Sequence, residues 1–572
     1  MKLSLDANGR RWRPTVRVRR SWLTESEVLF ELRRRWQRTV LLAGVTGLAT
    51  GVGVAFFDYV TEDLLLHEVL DLRLALQMAA PGVGLLLATV ALRYLARRAS
   101  PSTSDEYVNY FHDKHRRLPL WPVPGRMVAS VLTLGSGGAL GFEGPSIYLG
   151  ASIGSTIQSR FRDWFTREDA KVLMVAGAAA GVAAIFKAPV TGAVFALEVP
   201  YRHDVAARAV LPALVGAATS YVTFVAFQGT TPLLAVWGEP PFSTVDLAGA
   251  ALLGLLCGAG ARGFAAAMRW AKEAARRTRV RRRLPAAAAG LVGLAGGSYA
   301  LYESALTLGP GYDTIRWAAD PTHGLGLVAL LFVMRAAATT LTLVGGGAGG
   351  VFVPLAVQGA LLGRFVGGAL EQTHTPLFPL VGMAAFLGAG YRTPIAAVVF
   401  VAESTGRAGF VIPGLIAAVM AELVMGNDSV TPYQQVRRAG HLERRLRLPV
   451  TAALTREVLT VSPRTTLSEL VSEHFVAANA RSVPVTSAGR YLGMVRVEEV
   501  EQVPRDERDV KTVADVLVSL PPAELSWNLR RTVAVMEEAG TRRLAVVDHG
   551  RLVGVVTLAE ILRLDEILDE VE

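Results

Sequence analysis

Uncharged apolar runs, separated by short charged clusters, fill the chain from about residue 39 to 430. The clearest are 39–57, 74–92, 210–227 and 336–363. A helix needs roughly 20 consecutive apolar residues to cross a bilayer, so these runs predict membrane-spanning helices. Glycine lies inside the runs rather than between them, which suits close helix packing in lipid. Ahead of them, Trp22, Leu23, Val28, Leu29 and Leu32 recur at helical spacing, as on an amphipathic helix lying along a membrane surface. From about residue 445 charges rise and the apolar runs stop. Three zones follow: a basic N-terminal segment, 1–38; an apolar body, 39–440; and a soluble tail.

The body contains two repeats. Gly141-Phe142-Glu143-Gly144-Pro145, followed by Gly150 and Gly154, recurs as Gly350-Val351-Phe352-Val353-Pro354, followed by Gly359 and Gly363, at an offset of 209 (350 − 141). Phe186-Lys187-Ala188-Pro189, running to Glu198, recurs as Tyr391-Arg392-Thr393-Pro394, running to Glu403, at an offset of 205 (391 − 186). Two elements in the same order predict two homologous halves, about 39–228 and 245–430, with a substrate path where broken helices meet.

Only the first glycine motif carries a carboxylate, Glu143, and the run around it is uncharged. Pro at a helix start sacrifices no donor, and glycine lets backbone approach a ligand closely. A helix beginning inside the membrane offers unpaired N–H groups and the positive end of its dipole, which bind an anion without a full positive charge. The run 345–350 ahead of Pro354 reads as a backbone nest for such an anion. Two roles stand open for Glu143: a helix N-terminal cap, or a gate that takes the anion's place as a carboxylate and leaves it when protonated. Glu198 and Glu403 lie at equivalent helix ends and read as structural caps.

Composition sharpens this picture. Hydrophobic residues make up 51% of the chain, with mean hydropathy +0.36, which excludes a soluble enzyme. The net charge of +10 comes from arginine clusters flanking the apolar runs. That is the pattern of cytoplasmic ends, and no nucleic-acid-binding fold accompanies it. The single cysteine, Cys257, excludes a disulfide framework and a cysteine metal site. No metal and no obligatory cofactor is expected.

The two glycine motifs, with Pro432-Tyr433 near the end of the body, resemble the CLC family of chloride channels and proton-coupled chloride exchangers. The resemblance implies an all-α polytopic membrane fold of two inverted halves with broken helices. It implies a homodimer with one chloride path per subunit, in the plasma membrane with both termini cytoplasmic. Glu143 would be the gate. Backbone groups at Phe142, Glu143 and Gly144 would line an outer anion site, and those of Val351 and Phe352 a central one, with the Tyr433 hydroxyl beside it. Ser102 would supply the central serine by spacing, with Ser104 the other candidate.

Three departures from the family pattern matter. The serine motif lacks its glycines and is followed by Asp105 and Glu106, which read as disfavouring anions, as binding a cation, or as a solvated loop. Phe142 stands where the family carries a cation, so Glu143 has a more apolar neighbour and a gate more easily protonated is expected. Lys187 is a candidate to compensate. Val199 stands where exchangers usually carry a second proton glutamate, which favours a channel, voltage-gated in the family's manner. A proton-coupled exchanger is the alternative, and a nucleotide-sensing regulatory membrane protein is the alternative from another class.

The tail repeats at an offset of 61 (542 − 481), each copy reading strand, glycine turn, strand, helix. It resembles a pair of CBS domains, 445–505 and 506–572, forming a cytoplasmic α/β unit. CBS pairs often bind adenine nucleotides such as ATP. Thr557 and Glu560 are the positions that fit best here, and a purely structural dimerisation module is the other reading.

Overall fold

The computed structural model describes residues 25–561 except 98, 114–115, 166–168, 170, 235–241, 372–375, 438–445, 447 and 477–480. Residues 1–24, with Trp22 and Leu23, lie outside the described residues. Two compact units divide at residues 437 and 438.

The first unit is helical. Its first half comprises α1 (Glu25–Asp58), a π-helical continuation Tyr59–Leu66, α2 (His67–Leu70), α3 (Leu74–Tyr94), α4 (Ser104–His112), α5 (Val123–Gly135), α6 (Glu143–Arg160), α7 (Val172–Ile185), α8 (Pro189–Glu198) and α9 (Val210–Gln228). Its second half comprises α10 (Thr244–Arg277), α11 (Val280–Tyr302), α12 (Tyr312–Ala319), α13 (Leu325–Gly345), α14 (Phe352–Ala369), α15 (Leu377–Tyr391), α16 (Pro394–Thr405) and α17 (Val411–Met425). Among the described residues, eight helices are long and apolar enough to cross a membrane.

The repeats locate equivalent helices. α6 and α14 begin 209 residues apart (352 − 143), and α8 and α16 begin 205 apart (394 − 189). The offset shrinks by four because α7 starts 12 residues after α6 ends, whereas α15 starts eight after α14 ends (172 − 160; 377 − 369).

α7 is buried at every position and so is α15. At 14 residues, α7 measures roughly 21 Å, short of a bilayer core of about 30 Å. Such short, all-apolar helices are tolerated at membrane depth only inside protein. Glycine makes the packing possible. A Cβ on Gly150 would lie 2.0 Å from Gly177 O, and one on Gly359 would lie 2.2 Å from Gly382 O. The α6–α7 and α14–α15 crossings thus use equivalent Gly-on-Gly contacts, backbone against backbone.

The second unit is α/β. β1 (Leu454–Thr455), β2 (Ser482–Ser487), β3 (Arg490–Arg496), β4 (Ala523–Glu524), β5 (Arg543–Asp548) and β6 (Arg551–Thr557) form one sheet in the order β2-β3-β6-β5-β4, with β1 against β6. Two hairpins, β2–β3 and β5–β6, repeat at the 61-residue offset. Each turns through two residues of positive φ, Ala488-Gly489 and His549-Gly550, the backbone that fits a tight hairpin to twisted strands. Arg490 pairs with Arg551 where the copies meet.

Candidate functional site

The two glycine motifs meet each other. Gly141 N–H donates to Gly350 O at 2.9 Å, and Gly350 N–H donates to Gly141 O at 2.8 Å. This antiparallel bridge joins residues equivalent in the repeat, so a pseudo-twofold axis passes between them. α6 and α14 both start beside it.

Across that axis the partner of Glu143 is Phe352. Phe352 N–H donates to Glu143 Oε1 at 2.6 Å. Glu143 is 0% exposed, and its Oε2 has no hydrogen-bond partner. The carboxylate therefore sits on the open donor end of the opposite half's helix, where unpaired N–H groups and the helix dipole favour negative charge. Gly144 completes the junction. A Cβ there would lie 2.5 Å from Thr103 Oγ1 and 2.9 Å from Gly350 N, so the start of α4 joins those of α6 and α14.

Four N–H groups of the glycine-rich run 345–350 are bonded within the protein. Gly346 N–H donates to Leu343 O, Gly347 N–H to Thr342 O, Ala348 N–H to Thr133 Oγ1 and Gly350 N–H to Gly141 O. These donors close the end of α13 and the inter-half bridge, and Phe352 N–H is the donor that faces Glu143.

Phe142 is buried and packs edge-to-face on Phe57, centroids 6.0 Å apart. Lys187 does not simply replace the missing cation. Its Nζ donates to Gln228 O at 3.0 Å, and Gln228 Nε2 donates to Asp58 Oδ2 at 3.1 Å, so its charge faces an acid. Asp105 and Glu106 are not a solvated loop. Asp105 is buried and pairs with Lys272 Nζ at 2.5 Å; Glu106 pairs with Arg126 at 3.4 Å. Their charges are spent on cations of the protein. Among the described residues no cluster of His, Cys, Asp and Glu has the makings of a metal site.

The two side chains whose hydroxyls the resemblance assigns, Tyr433 and Ser102, are both partly exposed. Tyr433 is 38% exposed. Its neighbour Gln434 takes the buried place, donating to Val199 O at 2.9 Å and Tyr391 O at 2.7 Å. Ser102 is half-buried, and its N–H donates to Ser100 Oγ; the hydroxyl against Gly144 is that of Thr103. The buried tyrosine near Phe352 is Tyr391, at the end of α15.

Glu198 and Glu403 act as crossed caps. Glu198 Oε2 accepts from Ala396 N–H at 2.9 Å, at the start of α16. Glu403 accepts from Val190 and Thr191 N–H at 3.0 and 2.7 Å, at the start of α8. Each half thus satisfies the orphan donors of the other. Glu403→Ala is expected to lower stability by about 1–3 kcal/mol, read as a lower Tm in detergent; an unchanged Tm would show that water replaces the cap.

In the tail, Thr557 Oγ1 donates to Glu560 Oε2 at 2.7 Å and accepts from Glu560 N–H at 3.2 Å. The equivalent pair in the first copy is an ion pair between Arg496 and Glu499.

Inverted halves, broken helices and an isolated carboxylate on a helix end define an integral, multi-pass membrane transporter of ions. The chain belongs to the voltage gated chloride channel family, whose model matches residues 83–426, and it carries two CBS domains at 450–503 and 513–566. It is similar to the H(+)/Cl(-) exchange transporter ClcA of Salmonella typhi, 29% identical over 427 residues, 69% of this chain and 88% of that protein. ClcA of Citrobacter koseri is 29% identical over 412 residues, 67% and 85% of the two chains. Among solved structures, a CLC-type fluoride/proton antiporter matches at TM-score 0.59 and 25% identity, over 72% of this chain and 99% of that one. A eukaryotic CLC transporter matches at TM-score 0.57 and 19% identity, over 92% and 98%.

Proposed function

We propose that this chain exchanges chloride for protons across a membrane, with Glu143 as the group that carries the proton and vacates the anion path. The observation that carries the reading is the 2.6 Å bond from Phe352 N–H to the buried Glu143 carboxylate. A helix end that holds a carboxylate will hold a halide in the same place, since both are monovalent anions recognised by N–H groups and the dipole. Protonation removes the charge that holds Glu143 there. Anion and carboxylate then compete for one seat, and the proton decides which of them holds it, which is the elementary requirement for exchange.

The residues at position 199 favour a channel, because Val199 offers no second acid. The exchanger reading gains from the relatives, the ClcA proteins being named as H(+)/Cl(-) exchange transporters. Glu198 does not fill the gap as it stands, because its carboxylate is committed to capping α16. In this reading the protein works as a homodimer with one path in each subunit.

The test is reconstitution in liposomes with simultaneous chloride and pH recording. An imposed chloride gradient is expected to drive protons uphill. Chloride flux with no uphill proton movement would leave a channel and end the exchange reading.

A further inference from the structure

We propose that water held between α5 and α6, against Ser130, Tyr148 and Ser152, carries protons to Glu143 by a route apart from the anion path. The proposal deepens the exchange reading and rests on it.

Three hydroxyls mark the place. Ser130, Tyr148 and Ser152 are each 0% exposed, and among the described residues none of their hydroxyl oxygens has a hydrogen-bond partner. Buried hydroxyls are nearly always partnered, because leaving one without a bond costs free energy. Arg126, Ser130 and Thr133 follow at spacings of four and three, on one face of α5, and Tyr148 and Ser152 at a spacing of four, on one face of α6. The Arg126 guanidinium lies over the Tyr148 ring, 4.4 Å from its centroid, which sets these two faces against each other.

The second half of the chain shows the same crossing closed. Ala348 N–H donates to Thr133 Oγ1 at 3.1 Å, and Ala139 N–H donates to Thr342 Oγ1 at 3.3 Å. Both members of these two bonds are 209 residues apart (342 − 133; 348 − 139), so α13 is the equivalent of α5. Arg335 is then the equivalent of Arg126 (335 − 126 = 209). Arg335 donates to the carbonyls of Leu306, Leu308, Gly309 and Pro310. The counterparts of Tyr148 and Ser152 are Val357 and Leu361, both buried. An arginine serving only structure thus comes with bonded carbonyls and apolar neighbours. In the first half the carbonyls are gone, and the neighbours carry hydroxyls.

The charges say what fits there. Among the described residues the polar partner of Arg126 is Glu106 of α4, at 3.4 Å. The other acid of that turn, Asp105, is paired with Lys272. One cation and one acid leave the slit neutral, so neither an anion nor a metal cation finds its charge balanced. Water needs only two to four polar partners, and hydroxyls both donate to it and accept from it.

The slit leads toward Glu143. Tyr148 stands five residues after Glu143, about 7.5 Å along the helix. In the other direction Ser155 and Ser159 continue the row at spacings of three and four, both half-buried, to the exposed Arg160 at the end of α6. Val199 offers no acid at the end of α8, and Glu198 there caps α16, so a proton has another way in along α6. Each oxygen of the file receives one proton and releases one. The last transfer breaks an O–H bond of water and forms the O–H bond of the Glu143 carboxyl, and Glu143 alone changes charge.

The experiment records chloride and proton movement together in liposomes holding full-length wild type, Ser152→Val, Tyr148→Phe and Thr340→Val, with the Tm of each in detergent. Ser152→Val fills the slit and Tyr148→Phe breaks the file while keeping the ring under Arg126. Both are expected to lower the protons moved per chloride roughly fivefold, with chloride flux near that of the wild type. Thr340→Val, whose hydroxyl is bonded to Ala336 O of its own helix, is expected to keep the ratio. Phenylalanine at position 148 would raise the Tm of a dry slit, by removing a hydroxyl without a partner; with water in the slit the Tm is expected at or below that of the wild type. Should Ser152→Val fail to fold, Ser152→Ala and Tyr148→Phe carry the test. A raised Tm in Tyr148→Phe, or a wild-type ratio in both slit variants, would overturn the proposal. Failure of the exchange reading looks different: the wild type itself would move no protons uphill. That would end the proton role, while the Tm of Tyr148→Phe would still decide whether the slit holds water.

Discussion

Glu143→Gln is expected to abolish chloride-driven proton movement while chloride flux continues. Glutamine has the shape of the protonated acid and reaches the same Phe352 N–H, which donates to Glu143 Oε1 at 2.6 Å in the wild type. A neutral amide oxygen accepts that bond with roughly half the strength of a carboxylate, so the side chain competes less well with chloride. It also exchanges no proton at any working pH. The wild-type flux should rise as pH falls, because protonation frees the helix end. The variant should be flat over the same range, at or above the low-pH wild-type rate. Uphill proton movement that survives Glu143→Gln would remove Glu143 from the proton path, and a variant still as pH-dependent as the wild type would remove it from the gate. The closed surroundings sharpen the test. Glu143 is 0% exposed, Phe142 beside it packs on Phe57, and Lys187 faces Asp58 through Gln228. No free cation of the described network stands ready to replace the lost carboxylate's pairing.

The sequence announced the two halves through fixed offsets, because helix starts need Gly and Pro at set positions and those types survive as a pattern. The offsets did not say that Gly141 and Gly350 bond to each other, since a repeat gives equivalence and not contact. The caps were readable at Glu198 and Glu403, but the crossing was not: each caps the helix of the opposite half. The burial of Tyr391 was not readable, since it depends on how α8, α14 and α15 close around Phe352, a tertiary outcome with no local signature. The asymmetry that could be read was the carboxylate: Glu143 and Phe352 are equivalent in the repeat, and only the first is charged.

The same geometry makes Gly141→Ala the most selective way to open the gate without touching Glu143. A Cβ at Gly141 would lie 1.9 Å from Glu143 Oε2, and its three nearest heavy atoms all belong to that one side chain. The backbone at Gly141 has no positive φ, so alanine is tolerated there on conformational grounds. The clash is thus relieved by moving a flexible carboxylate rather than the backbone. Gly350→Ala is the contrast, because its Cβ would meet Glu143 Oε1 at 1.8 Å and also Gly144 N at 2.8 Å, which strains the bridge between the halves. Eviction from the Phe352 N–H forfeits a charge-assisted bond of about 1.5–3 kcal/mol, which shifts occupancy of the seat roughly ten- to a hundredfold toward the anion. Gly141→Ala is therefore expected to raise chloride flux at neutral pH and to lower the number of protons moved per chloride, with a Tm near that of the wild type. Gly350→Ala is expected to lower the Tm. A Gly141→Ala protein with wild-type flux and wild-type coupling would mean that the carboxylate finds another route to the same helix end, and that the seat seen here is not what limits the path.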